Sequence, residues 1–229
     1  MLRTSMKLAV AVLAAGVVVS ACGPVQMGAA AIVGNERIST ATLSAQAANL
    51  SAAYHAAKGH TQIPYPAAQI PQQALSWLLR FKIREEQAAH AGIHVTPGDA
   101  QRALAELAAQ LRQSDSTIRE AAVANGLPPD LIPELGRYQA IGNALTSRAD
   151  GGTTPTTTAA QQALAAQLNK DQCLASKGLA IQVNPQFGVL DYNQLSVVPA
   201  KSGVSATQPP VRPAPSASAS AAPRLTPPC

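Results

Sequence analysis

The chain opens with an unbroken run of twelve small and apolar residues, Leu8 to Val19, preceded by two charged residues, Arg3 and Lys7. That run is too short to cross a bilayer as a helix, which takes about 20 residues. A basic start, a short apolar core and the small residues that follow it have the layout of a secretory signal. Past residue 28 the pattern changes. Ala30-Ala31-Ile32-Val33 and Arg37-Ile38 flank Gly34-Asn35, which predicts short extended pieces around a turn. Ser39 then stands where a hydroxyl can cap a first turn. Leu43, Ala47, Leu50 and Tyr54 carry helical spacing through residues 40–58, and Gly59 supplies a stop.

Pro64 and Pro66 mark a loop, and Pro71 suits the first turn of the next helix, residues 71–91. Its core stripe is predicted as Ala74, Trp77, Leu78, Phe81 and Ala88, with Leu75, Leu79 and Ile83 beside it. Thr96-Pro97-Gly98-Asp99 is a helix start, with a hydroxyl cap, proline at the first position and an acid at the third. Leu104, Leu107 and Leu111 line one face of that helix. Ser116 is expected to cap a shorter helix to Asn125, which Gly126 stops. Another helix opens near Asp130, where Pro133 is tolerable only in the first turn, and Leu135, Ile141 and Leu145 carry its apolar side. Residues 150–157 read as a Gly/Thr/Pro linker. Residues 158–177 read as a last helix, with Leu164, Leu168 and Ala175 inward, and residues 179–183 alternate as a strand. The expected fold is mainly α: a single helical domain over residues 29–195, after a signal of residues 1–21 and a tether of residues 22–28. Residues 196–229, rich in Pro, Ser and Ala, have too little apolar bulk to offset their ordering entropy and are read as a disordered tail.

Charge changes this picture little. The whole chain carries +5, but without residues 1–21 the balance is 15 basic against 12 acidic residues. The excess lies in the tail, at Lys201, Arg212 and Arg224. The body has no basic face, so nucleic acid is not an expected partner.

Motifs for chemistry are missing from the sequence. Gly151-Gly152-Thr153-Thr154 lacks the Gly-Lys-Ser/Thr element of a phosphate loop, and no Gly-x-Ser-x-Gly elbow occurs. His90 and His94 are four apart, but Gly92 breaks the helix between them, and His55 and His60 straddle another helix end. Glu85-Glu86 follow Arg80, Lys82 and Arg84 and read as a solvated, salt-bridged face. No enzyme activity, metal or cofactor is expected. Trp77 and Phe81, one turn apart with Leu78, are either core or a partly exposed apolar strip that receives a polypeptide.

Val19-Ser20-Ala21-Cys22 resembles a bacterial lipobox: an aliphatic residue, two small residues and Cys at the end of the apolar run. The resemblance implies that the Cys22 thiol receives a diacylglycerol and that cleavage makes Cys22 the mature N-terminus. The protein is then expected at the cell membrane, lipid-anchored on its extracytoplasmic face, where disulfides persist. Of the remaining cysteines, Cys173 and Cys229 form a disulfide, stay free or pair between molecules.

A second resemblance spans residues 31–145. Ile32-Val33-Gly34-Asn35-Glu36-Arg37-Ile38-Ser39, the helix running into Gly92-Ile93-His94-Val95-Thr96, and Asn125-Gly126-Leu127 are similar in order and spacing to the N-terminal part of SurA-type periplasmic chaperones and PrsA-type foldase lipoproteins. Gly34 and Asn35 stand in exchanged order relative to the family's usual Asn-Gly. Asn184-Pro185-Gln186-Phe187-Gly188 resembles the close of SurA-like actinobacterial lipoproteins. The resemblance implies that residues 179–183 return to pair with residues 30–33. It also implies ATP-independent binding of unfolded or exported polypeptides. Relatives insert a parvulin domain where this chain has only residues 150–157, so prolyl isomerase activity is not expected. The alternative is a scaffold lipoprotein that recognises one envelope partner.

Overall fold

A computed structural model describes residues 28–112, 117–152 and 155–200. The signal segment, Cys22 and the tail from residue 201 to Cys229 lie outside the described residues, as does Ser116. The architecture is mainly helical. Two strands, β1 (Ala29–Val33) and β2 (Glu36–Ser39), lead into α1 (Thr40–Ala57). Then come α2 (Ile70–His90), α3 (Pro97–Arg112), α4 (Ile118–Ala124), α5 (Ile132–Ala149) and α6 (Thr158–Gly178). Strands β3 (Ile181–Val183), β4 (Val189–Asp191) and β5 (Ser196–Val198) close the described chain.

Strands β1 and β2 form the hairpin that the sequence predicts, with Val33 opposite Glu36 and a two-residue turn between them. Gly34 has φ +57°, whereas Asn35 is not in the left-handed region. Glycine at the first central position alone is the requirement of a type II′ turn, and this accounts for Gly preceding Asn. Ser39 caps α1 by accepting from the Thr42 N–H at 2.9 Å. Strand β3 returns antiparallel to β1, with Ala31 opposite Val183 and Val33 opposite Ile181, giving the order β2-β1-β3. The two ends of the body are thereby joined. Asn184 reinforces the joint, its N–H donating to Ala30 O at 2.9 Å and its side-chain amide to Ala29 O at 3.1 Å.

Helix α2 is the element on which the others pack. Leu75, Leu79 and Ile83 are fully buried. Leu75 and Leu79 join Ala30, Ala31, Val33, Ile38 and Leu43 in one core. The stripe is thus centred beside the predicted one: Ala74 and Ala88 are buried as expected, but Trp77, Leu78 and Phe81 are only half-buried. They face a second core formed by Ala122, Leu127, Leu131 and Leu135. A third core gathers Leu50, Tyr65 and Ile70. Burial pushes the Tyr65 phenol up to about 12, with Tyr54 adding to the shift, and the hydroxyl donates to Val123 O at 2.6 Å.

The predicted tail begins too early. Residues 189–198 form a second hairpin, with Asp191 opposite Ser196, and it lies against α2. Val197 and Leu195 are buried. Ser76, itself buried, donates to Gln72 O at 2.6 Å and accepts the Val197 N–H at 2.8 Å. Arg80 donates to Leu195 O at 3.0 Å and to Gln194 O at 3.2 Å. A short β piece needs outside partners for its backbone groups, and α2 supplies them from two side chains. The body therefore extends past 195 to include β5.

Elsewhere the local signals hold with small shifts. Pro71 and Pro133 fall in the first turns of α2 and α5. Helix α4 is capped by Thr117, one residue after the expected Ser116, in a reciprocal box with Glu120. Thr96 and Asp99 make the equivalent contacts at the start of α3. Gly136 lets α5 approach α3, since a Cβ there would lie 2.5 Å from Ala100 O. On α6, Leu164, Leu168 and Ala175 are only half-buried, and the buried residues are Cys173 and Ser176.

Two predictions follow from these contacts. Ser76→Ala leaves the Val197 N–H buried without its partner and should lower unfolding stability by about 1–3 kcal/mol in a urea titration. A change below about 0.5 kcal/mol would show that the hairpin does not depend on it. The Thr96 hydroxyl and N–H hold the Asp99 carboxyl below its usual value of 3.8, and the Thr117 N–H and hydroxyl hold Glu120 below 4.5. Both caps therefore contribute stability above the unfolded-state values and lose it as pH falls through the lowered folded-state values. Amide protection in the first turns of α3 and α4 should drop as pH falls below the ordinary values of 3.8 and 4.5. It should drop more than at the start of α6, where Thr157 caps without a carboxylate.

Candidate functional site

The strip predicted on α2 lies between that helix and α5, and it carries aromatic chemistry. Trp77 and Phe81 have ring centroids 5.6 Å apart, and each packs edge-on against Tyr138 of α5, at 6.0 and 5.8 Å. The Trp77 N–H donates to Asn125 O at 2.9 Å, fixing the indole against the end of α4. Two guanidiniums lie over the rings: Arg80 is 5.0 Å from the Trp77 centroid and Arg84 is 4.4 Å from that of Tyr138. Arg84 also donates to the Tyr138 hydroxyl at 2.9 Å. Burial lowers the Arg80 guanidinium from its usual value, while Tyr138 acts in the opposite sense.

The structure divides Trp77, Leu78 and Phe81 between two depressions. Trp77 lines an apolar groove of about 260 Å³, with Leu107 and Leu111 of α3, Ile118 of α4, Leu127, and Leu135 of α5. Leu78 and Phe81 line a cleft of about 480 Å³ with Leu131 and Tyr138. That second cleft has a charged rim. Arg137 grips Glu85 with two hydrogen bonds, one of them 2.8 Å, and Lys82 pairs with Glu36 of β2. The charges on α2 thus pair with other elements rather than along their own helix. The Glu85 contact raises the Arg137 guanidinium above its usual value. These pairs are half-exposed, so they orient the rim more than they stabilise the fold.

A third depression, also about 480 Å³, lies between α2, α5 and α6. Arg84 and Gln87 of α2 are among its lining residues, and the Arg84 Nε and Gln87 Oε1 atoms are buried without hydrogen-bond partners. An unmet buried acceptor costs about 1–3 kcal/mol. Sequence reasoning missed Tyr138, Arg137 and this depression. Tyr138 lies three residues after Leu135, on the same helical face, and that spacing was the available signal.

His55, His60, His90 and His94 are all exposed. Among the described residues no group of three or more His, Cys, Asp or Glu is placed to hold a metal, and no helix is long and apolar enough to cross a membrane. Cys173 is buried and disulfide-bonded. It is the only cysteine among the described residues, so its partner lies outside them. Compared with family models, with curated proteins and with solved structures, the chain matches none.

Proposed function

We propose that the chain is a membrane-anchored, extracytoplasmic lipoprotein that binds exported or unfolded polypeptides without ATP. The observation that carries this reading is the apolar groove floored by Trp77. Its walls are Leu, Ile and Ala side chains from three helices, with few polar groups to impose sequence selectivity. Binding there gains free energy from apolar burial, which is broad in specificity and modest in strength. The half-buried state of Trp77, Leu78 and Phe81 supports the same reading, since a fully buried strip offers nothing to a partner.

A lipid on Cys22 would hold the groove at the membrane, with each buried methylene worth about 0.8 kcal/mol. Lipidation also bears on the disulfide. A Cys22 sulfur carrying a diacylglycerol thioether cannot join one, so Cys229 is then the intramolecular partner left for Cys173. A scaffold for one specific partner is the second reading. The ion-paired rim of the neighbouring cleft favours it, because fixed charges select register and partner.

Trp77 is the chain's single tryptophan, so its emission reports on the groove. Titration with a Trp-free, reduced and alkylated polypeptide should blue-shift that emission, and the protein should suppress aggregation of several unrelated clients. Leu107→Asn should weaken binding roughly tenfold, by removing about 1.4 kcal/mol of apolar contact. Unchanged emission with no suppression would remove the chaperone-like reading, and one stoichiometric partner in its place would establish the scaffold. Separately, Cys22→Ala should abolish lipid labelling and release the protein from membranes. Peptide mapping without reduction should recover Cys173 linked to Cys229. A Cys22–Cys173 peptide would rule out the lipid anchor.

A further inference from the structure

We propose that the cleft between α2, α5 and α6, which meets the Trp77 groove at Gln139, binds the main chain of an extended polypeptide through its side-chain amides. This rests on the polypeptide-binding reading above and adds to it a second chemistry. Five carboxamides converge on the cleft: Gln87 of α2, Gln139 and Asn143 of α5, and Asn169 and Gln172 of α6. Each offers a donor and an acceptor, the same pair that a peptide unit presents.

The spacing fits as well. Gln139 and Asn143 are four residues apart on one helix, a rise of about 6 Å. Groups on one side of an extended chain repeat every second residue, at about 6.6 Å. Asn169 and Gln172 line the same cleft from α6. Asn143 and Asn169 are exposed and Gln139 and Gln172 half-buried, so their amides are open to a ligand. In contrast, the charged groups around them are engaged: Arg148 with Ala91 O, Asp171 with Gln167, and Arg84 with Tyr138. Apart from the Arg84 Nε, the polar groups left open are thus neutral, which suits recognition of a main chain regardless of its side chains.

Gln87 supplies the independent observation. It is 8% exposed, and its Oε1 has no partner, nor has the neighbouring Arg84 Nε. A ligand N–H would satisfy the Gln87 acceptor, and a ligand C=O the Arg84 donor. Among the described residues that line the cleft none is aromatic, so a sugar ring has no platform for stacking. The ligand class is therefore a polypeptide main chain.

The test uses the mature chain and a blocked, uncharged dodecapeptide of Gly, Ser and Ala, beside its N-methylated analogue. The peptide should shift the side-chain NH₂ resonances of Asn143, Asn169 and Gln172. Asn169→Ala with Gln172→Ala should weaken its binding about tenfold, with the helical signal unchanged. Removing main-chain donors by N-methylation should weaken binding comparably. Equal affinity for the N-methylated peptide, shifts confined to other residues, or binding of a chito-oligosaccharide instead would overturn the proposal. If the peptide leaves these amides unmoved while the denatured client still shifts Trp77 emission, this cleft alone is refuted. Loss of both responses removes the polypeptide-binding reading as well.

Discussion

The complete burial of Leu75, Leu79 and Ile83 on α2 is the constraint on which the rest of the structure depends. Each such side chain gains about 1.5–3 kcal/mol on leaving water, and the three lie along one helical face. To cover that face the chain assembles β1, α1 and the second hairpin around α2. The flank left over, bearing Trp77, Leu78 and Phe81, meets α5 and the end of α4 less completely. The clefts arise there because one helix cannot be enclosed on every side by so small a chain. Function, on this reading, occupies the margin of the core.

The second organising feature is closure. Strand β1 is paired on both edges, by β2 in a local hairpin and by β3 from the far end of the body. The polar anchors beside it act in the same direction: Asn184 ties the exit to Ala29 and Ala30, while Ser76 and Arg80 hold the last hairpin on α2. These bonds matter more by what their loss would expose than by their net strength, because an unpaired buried amide is costly. A helix-rich domain of this kind is held shut by a few backbone pairings between distant residues.

The depressions on the helical side differ in chemistry. One is apolar and floored by an indole, one has an ion-paired rim, and one is lined by neutral amides. An unfolded polypeptide presents both apolar side chains and unpaired peptide groups. In the proposed function the apolar groove would meet the first need and the amide cleft the second. Neither requires bond-making chemistry, an energy source or strong sequence preference, and the proposed function calls for none of these.

Much of the fold was legible from local signals. The hairpin turn at Gly34-Asn35, the caps at Ser39 and Thr96, and the prolines at positions 71 and 133 each depend on a few neighbouring residues. Such signals survive without tertiary context because their bonds are local. The predicted stripe on α2 was displaced because periodicity gives a direction only to within the angle between adjacent residues, and Trp77 and Leu75 are both apolar. The hairpin of β4 and β5 was missed because Val197 and Val198 stand in polar, proline-bordered sequence, and their pairing energy comes from α2, more than a hundred residues earlier. The amide cleft was invisible for the same reason: Gln87, Asn143 and Asn169 read singly as surface residues. The sequence by itself determined which segments are helical and where they begin. Only the tertiary structure decided which face of α2 is core and which residues share a cleft, because those depend on contacts between segments far apart in the chain.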